Sequence, residues 1–364
     1  MQKANVRFNE KDRPEFYREL RSRVNNYFKE SKKEKFANAN MVFKSIFMLA
    51  LYFTPFIIMI TGIVSSTLGI LLLWSLMGLG IAGIGLSIMH DANHGSYSSN
   101  DKVNSFMGFS LNYLGGYPLN WKIQHNLLHH TYTNIDGFDE DFDKKEIIRF
   151  SPTQEKKPFF RFQLLYAPII YASLTLYWVL AKDYIQLFDY NKRGLLKTQN
   201  ITFGKALFQI IFYKVVYFGA LIFLPIFLTG IPWWLVITGF LLMQGIGGLI
   251  LALVFQCAHV LTETEFYHPE DVNNSENNWA IHQMKTTSNF AVRNAPLTWL
   301  LGGLNYQVEH HLFPTICHVH YPAISKIVRK TAEEYDVPYL EHKTFVGAIA
   351  NHFSFLHQLG TGKI

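Results

Sequence analysis

The chain reads as an all-α integral membrane protein: four transmembrane helices arranged as two hairpins, with a helical cap at one membrane face. Three observations lead there. Only 16% of the 364 residues are charged, where soluble domains carry about 25%. Two tracts, Ser45–Met89 and Val215–Ala258, run for 45 and 44 residues without a charge or a histidine. Each tract leads directly into a histidine, His90 and His259.

A bilayer core needs about 20 apolar residues per helix, and a soluble helix rarely runs beyond that without a polar face. Each tract is therefore two spans and a tight turn. The first gives spans 45–64 and 67–89 about GIVSSTLG, the second 208–228 and 232–257 about LTGIP. A hairpin enters and leaves on one side, so His90, His259 and whatever follows each share a face. Residues 1–44 carry twelve Lys or Arg and 182–214 carry six, while the two turns carry none. Basic residues stay on the cytoplasmic side, which places the histidine face and both termini there. The uncharged run 162–181 would break this scheme if it crossed. Its Tyr166, Tyr171, Tyr177 and Trp178 suit an interface, so we expect a helix that lies along the membrane or enters it only partly.

This divides the chain into a basic N-terminal segment (1–44), a membrane domain (45–330) and a C-terminal cap (331–364) belonging to that same domain. The stretch FYRELRSRVNNYFKESKKEK (16–35) suits either anionic lipid or solvent. No long block of basic residues points to nucleic acid. Cys257 and Cys317 form neither a disulfide framework nor a CxxC pair. No signal peptide is apparent at the N-terminus.

Eight of the fifteen histidines cluster. HDANH gives His90 and His94; HNLLHH gives His125, His129 and His130; FQCAH ends at His259; QVEHH gives His310 and His311. Residues four apart share a helix face, which pairs His90 with His94 and His125 with His129. His130 is turned about 100° from His129, so adjacent histidines can serve two centres. Clustered imidazoles that are not ligands would repel one another once protonated. Eight exceed the four of a structural zinc, so two ions with four or five ligands each fit the count. Imidazole suits zinc, copper, iron and nickel. Without cysteine clusters, two irons fit best, and zinc competes on spacing alone. His282, in WAIHQMKTT, could support ligands but reads more simply as a structural residue. His268, His318, His320, His342, His352 and His357 have no matching partners.

HDxxH, HxxHH and QxxHH, in this order around two hairpins, resemble the three histidine boxes of the membrane fatty-acyl desaturases. The resemblance covers about residues 45–330 and is strongest at GGLNYQVEHHLFP (302–314). Gln307 at the head of the third box resembles the front-end subgroup, which inserts a double bond between an existing one and the carboxyl end. Δ6-type linoleoyl and sphingolipid Δ8 desaturases share the pattern. The resemblance implies His90, His94, His125, His129, His130, His259, His310 and His311 as ligands of a diiron centre, with O2 as co-substrate. His259 lies outside the named boxes. Gln307 is a weaker donor; it binds one iron loosely or through water, or only hydrogen-bonds a ligand. Asp91 and Glu309 then orient ring nitrogens.

The implied substrate is a fatty acyl chain on coenzyme A, acyl-carrier protein or an intact lipid, reached from the membrane lipids. No HPGG haem motif occurs, and 44 residues before the first span are too few for a fused cytochrome b5. Electrons are therefore expected from a separate ferredoxin or cytochrome b5. This tilts the location toward a bacterial cell membrane rather than the endoplasmic reticulum. A diiron membrane lipid hydroxylase, or a sphingolipid desaturase, stays open. A histidine-rich metal transporter fits less well: transporters carry ionisable groups near mid-membrane, and both long tracts lack them.

Overall fold

A computed structural model describes residues 6–141, 147–274 and 278–364. Residues 1–5 of the N-terminal segment lie outside them. The chain forms two compact units, each drawn from separate stretches. One comprises Met1–Ala37, Gln124–Ala167 and Leu253–Ile364; the other comprises Asn38–Ile123 and Pro168–Ala252.

Among the described residues four helices are long and apolar enough to cross a membrane, Ala39–Ile60, Thr67–Asn93, Phe203–Thr229 and Trp233–His259, and a fifth span results if the bent pair Pro158–Ala172 and Leu174–Lys192 counts as one. The last three of the four have 27 residues each, or about 40 Å at 1.5 Å per residue. A hydrocarbon core is about 30 Å thick. These helices can thus cross it and still extend into the interface. His90 lies in the final turn of one of them and His259 at the end of another. Side-chain caps set the starts. Asn38 accepts from Met41 N–H, Ser66 from Gly69 N–H and Thr202 from Lys205 N–H. The first helix begins ahead of the uncharged tract because it takes in Lys44, which is buried.

Within the second unit, helices approach through glycine. A Cβ on Gly80 would lie 2.9 Å from the backbone of Tyr52. A Cβ on Gly248 would lie 2.7 and 2.9 Å from the carbonyl oxygens of Ala172 and Tyr171. Without a hydrophobic driving force in lipid, such close backbone contact is what holds helices together.

The run 162–181 is not the single helix expected. It forms Pro158–Ala172 and Leu174–Lys192, bent by 59°. At the break, Ser173 Oγ donates back to the carbonyl of Ile169 at 2.8 Å, a bond that bends helices.

In the first unit, the basic stretch forms helix Pro14–Ser31. Phe16, Leu20 and Val24 recur every four residues and are buried. They share one core with Ile324, Val328 and Ala332 of helix Tyr321–Glu334, and with Val308 and Leu312 of the third box. Protein, not lipid, covers that apolar stripe. Arg23 bridges Glu19 and Glu334, at 2.7 Å each. Among the described residues there are two strands, Ser288–Phe290 and Leu340–His342, paired in parallel. The remaining regular structure among the described residues is helical.

Replacing Gly248 with alanine should cost about 1–3 kcal/mol, the usual penalty of overpacking. Gly245 has open space around its Cβ position, so G245A should be neutral or slightly stabilising. Thermal unfolding in detergent, followed by size-exclusion chromatography, checks this pair; equal melting of the two variants would contradict it.

Candidate metal centre

The second histidine box lies on Lys122–His129, a π-helix, followed by the short helix His130–Tyr132. Its i→i+5 hydrogen bonding changes the expected geometry. In an α-helix His125 and His129 would share a face and His130 would turn away. In the wider helix, positions four and five residues on both return toward the same face. His125 and His129 stack with ring centroids 5.2 Å apart, and Nε2 of His125 lies 3.3 Å from Nε2 of His130. All three rings therefore converge.

The first unit adds His259, His310 and His311 to them. His129, His259 and His311 form a triangle with centroid separations of 4.8, 4.7 and 4.9 Å. His130 lies 4.5 Å from both His310 and His311. His90 and His94 belong to the second unit. Their rings are 4.7 Å apart, and the Trp121 indole meets both edge-on.

Each ring of the triangle is held by Nδ1. The Nδ1–H of His129 donates to the Asp139 carboxylate at 3.0 Å. That of His259 donates to the carbonyl of Thr286 at 3.2 Å. That of His311 donates to Gln283 Oε1 at 2.8 Å. Outside the triangle, His125 Nδ1 pairs with Asp141 at 3.2 Å and His310 Nδ1 with the Tyr321 hydroxyl at 3.2 Å. Asp139 is itself held: its Oδ2 accepts from Asn134 N–H at 3.0 Å. Asn134 takes a left-handed conformation, φ 57°, which its residue type tolerates. That geometry aims its amide at the carbonyls of His259 and Glu265, 3.0 and 3.1 Å away.

With Nδ1 committed, Nε2 of His129, His259 and His311 carries the free lone pair. Among the described residues none of these three buried atoms has a hydrogen-bond partner, and one ring nitrogen from each of the three residues lies within 4.8 Å of the other two. Three clustered imidazoles with partnerless Nε2 atoms, each ring backed by an acceptor, fit a transition-metal ion. Burial and the neighbouring histidines hold the His311 pKa well below the ordinary value, so the ring is neutral and able to ligate. At His129 burial pulls the same way, but the Asp139 carboxylate outweighs it and the pKa is raised.

The other expected residues fall as follows. Glu309 was expected to orient a ring nitrogen. Its oxygens instead bond Asn289 Nδ2 at 2.8 Å and the Tyr339 hydroxyl at 2.9 Å. Burial pushes its pKa up to about 7. Asp91 lies 3.8 Å from Nδ1 of His90, too far for a hydrogen bond. Gln307 is buried beside the His259 ring. His282 donates Nε2–H to the Thr133 carbonyl at 2.7 Å. His320, His342 and His352 tie segments together through Phe36 O, Glu263 and Val260 O. Asp139, Asp141, Gln283 and Thr286 were not anticipated. The run DGFDED, just beyond HNLLHH, was the available signal for the two carboxylates.

The family model for fatty acid desaturases matches residues 65–343. The chain belongs to the fatty acid desaturase family. The desaturase is 35% identical over 349 residues to sn-1 linoleoyl-lipid 6-desaturase of Arthrospira platensis, covering 94% of this chain and 92% of the relative. The enzyme of the same name from Synechocystis is 33% identical, covering 95% of each chain. An acyl-lipid (8-3)-desaturase of Physcomitrium patens is 34% identical, covering 98% of this chain and 74% of the relative. The protein is thus a membrane oxidoreductase that desaturates fatty acyl chains, and its histidine clusters are suited to binding metal.

Replacing Asp139 with asparagine removes the charge behind His129. Metal affinity of the purified desaturase should fall roughly 10–100-fold, as measured by competition with a chelator. An unchanged affinity would show that Asp139 does not support the ligand.

Proposed function

We propose that the desaturase is an oxygen-dependent front-end enzyme. In this reading two iron ions are held by His90, His94, His125, His129, His130, His259, His310 and His311, and the double bond enters an acyl lipid at a Δ6-like position. The observation that carries the metal assignment is the triangle of partnerless Nε2 atoms on His129, His259 and His311. For His90 and His94 the support is their four-residue spacing and the likeness of HDANH to the first box. The regiochemistry rests on the names of the relatives from Arthrospira platensis and Synechocystis, and on Gln307 at the head of the third box. Gln307 is buried beside the His259 ring; its amide oxygen is a weaker donor than imidazole, and it holds no ligand position in this reading.

Removing hydrogen from an unactivated methylene is beyond any side chain acting as a base, so the bound iron with O2 supplies the oxidising power. The chain's own residues hold the ligands and exclude water. Carboxylate, carbonyl and amide acceptors fix the rings of His129, His259 and His311, so these three need not reorient on loading. The rings of His129, His259 and His311 are buried, which keeps solvent from the centre. Electrons come from a separate ferredoxin or cytochrome b5. The lysine and arginine distribution favours a cytoplasmic histidine face, with both termini on that side. The likeness to the Arthrospira platensis and Synechocystis enzymes favours a bacterial cell membrane.

Expression in a host of defined lipid composition supplied with linoleate tests the reading. Mass spectrometry of the fatty acids should show one new double bond on the carboxyl side of the existing pair. H129A, H259A and H311A should each reduce that product to background. The purified wild type should contain two irons per chain. A hydroxylated product, or a double bond on the methyl side, would refute the front-end assignment.

A further inference from the structure

The stretch HQMKTTSN (282–289) closes helix Trp279–Thr286 and opens strand Ser288–Phe290. It meets every histidine segment of the first unit. His282 donates to the carbonyl of Thr133, three residues beyond His130. Gln283 Oε1 lies 2.8 Å from Nδ1 of His311 and 2.9 Å from Thr133 Oγ1, which in turn lies 2.8 Å from the His129 carbonyl. The Thr286 carbonyl accepts from Nδ1 of His259. Asn289 Oδ1 accepts from Val308 N–H at 2.9 Å, while its Nδ2 donates to Glu309. His282, Gln283, Thr286 and Asn289 are all at most 1% exposed.

We propose that residues 282–289 form a positioning strap for the metal ligands, and that Gln283 is the positioning residue for His311. The proposal rests on the ligand role given to His311 above. Nδ1 and Nε2 of a neutral imidazole cannot both carry the proton. An acceptor at Nδ1 therefore fixes the tautomer that leaves Nε2 free to ligate. At His129 that acceptor is a carboxylate; at His259 it is a backbone carbonyl. At His311 it is an amide oxygen, which orients the ring without adding a charge. Gln283 also links two boxes, because the same oxygen lies within hydrogen-bond distance of Thr133 at the end of the second box. In this scheme His282 sets the register of the strap against Thr133, and Asn289 seats the first turn of helix Gln307–Leu312.

A residue required only for packing and one required as an acceptor respond oppositely to two substitutions. Leucine has similar bulk and no acceptor. Glutamate keeps the acceptor but buries a charge. If Gln283 only fills space, Q283E is the more damaging change. If it positions His311, Q283L is.

The experiment uses full-length wild type, Q283L and Q283E, purified in detergent and stripped of metal. Each is titrated with cobalt(II), followed by its visible absorption. We expect Q283L to bind roughly 10–100-fold more weakly than wild type, and Q283E to recover most of that loss. Q283L binding as tightly as wild type, or Q283E binding no better than Q283L, overturns the role of Gln283 alone. A wild type that binds no cobalt overturns the ligand assignment beneath it as well.

Discussion

Three imidazole nitrogens buried together without partners are an electrostatic liability. Each lone pair has given up water, and leaving a buried polar atom unsatisfied costs on the order of 1–3 kcal/mol. Around His129, His259 and His311 the fold does not relieve that cost with nearby donors. It fixes each ring from behind and leaves the three Nε2 lone pairs close together without partners. Such an arrangement becomes favourable when a cation sits among them. Binding energy is then also folding energy, and the remaining architecture of the unit can be understood as the means of holding three rings still.

The means are local and varied. A π-helix brings residues four and five apart to one face. A left-handed asparagine aims its amide at two carbonyls from other segments. A buried carboxylate raises the basicity of one ligand, and a neutral amide orients another. Helix Pro14–Ser31 contributes no ligand, yet Phe16, Leu20 and Val24 complete the core on which the third-box helix rests. The spanning helices exceed the hydrocarbon thickness, which lets one of them carry His259 in its final turn.

Much of this was legible in the sequence because membrane burial and metal ligation leave strong one-dimensional marks. Uncharged runs of 45 and 44 residues have little other reading, and histidine pairs at fixed spacing announce ligands. Lys44 shows where the first mark fails: a charge limits an apolar run, but a helix can bury one lysine and begin earlier. The π-helix was hidden because HNLLHH is compatible with α spacing, and only the hydrogen-bond pattern separates the two. The ring supports were hidden for another reason. Asp139 is ten residues from His129, whereas Gln283 is 28 from His311 and Thr286 is 27 from His259. Thr286 acts through its backbone, which no side-chain pattern can reveal. Glu309 misled by adjacency: beside two ligands in the chain, it turns toward Asn289 and Tyr339 in space.

X-ray absorption at the iron edge of the purified, iron-loaded protein tests the central claim most directly. The account predicts a first shell dominated by nitrogen, with the outer-shell scattering of several imidazole rings. A spectrum without imidazole scattering, or a protein whose iron is bound by oxygen ligands alone, would contradict it.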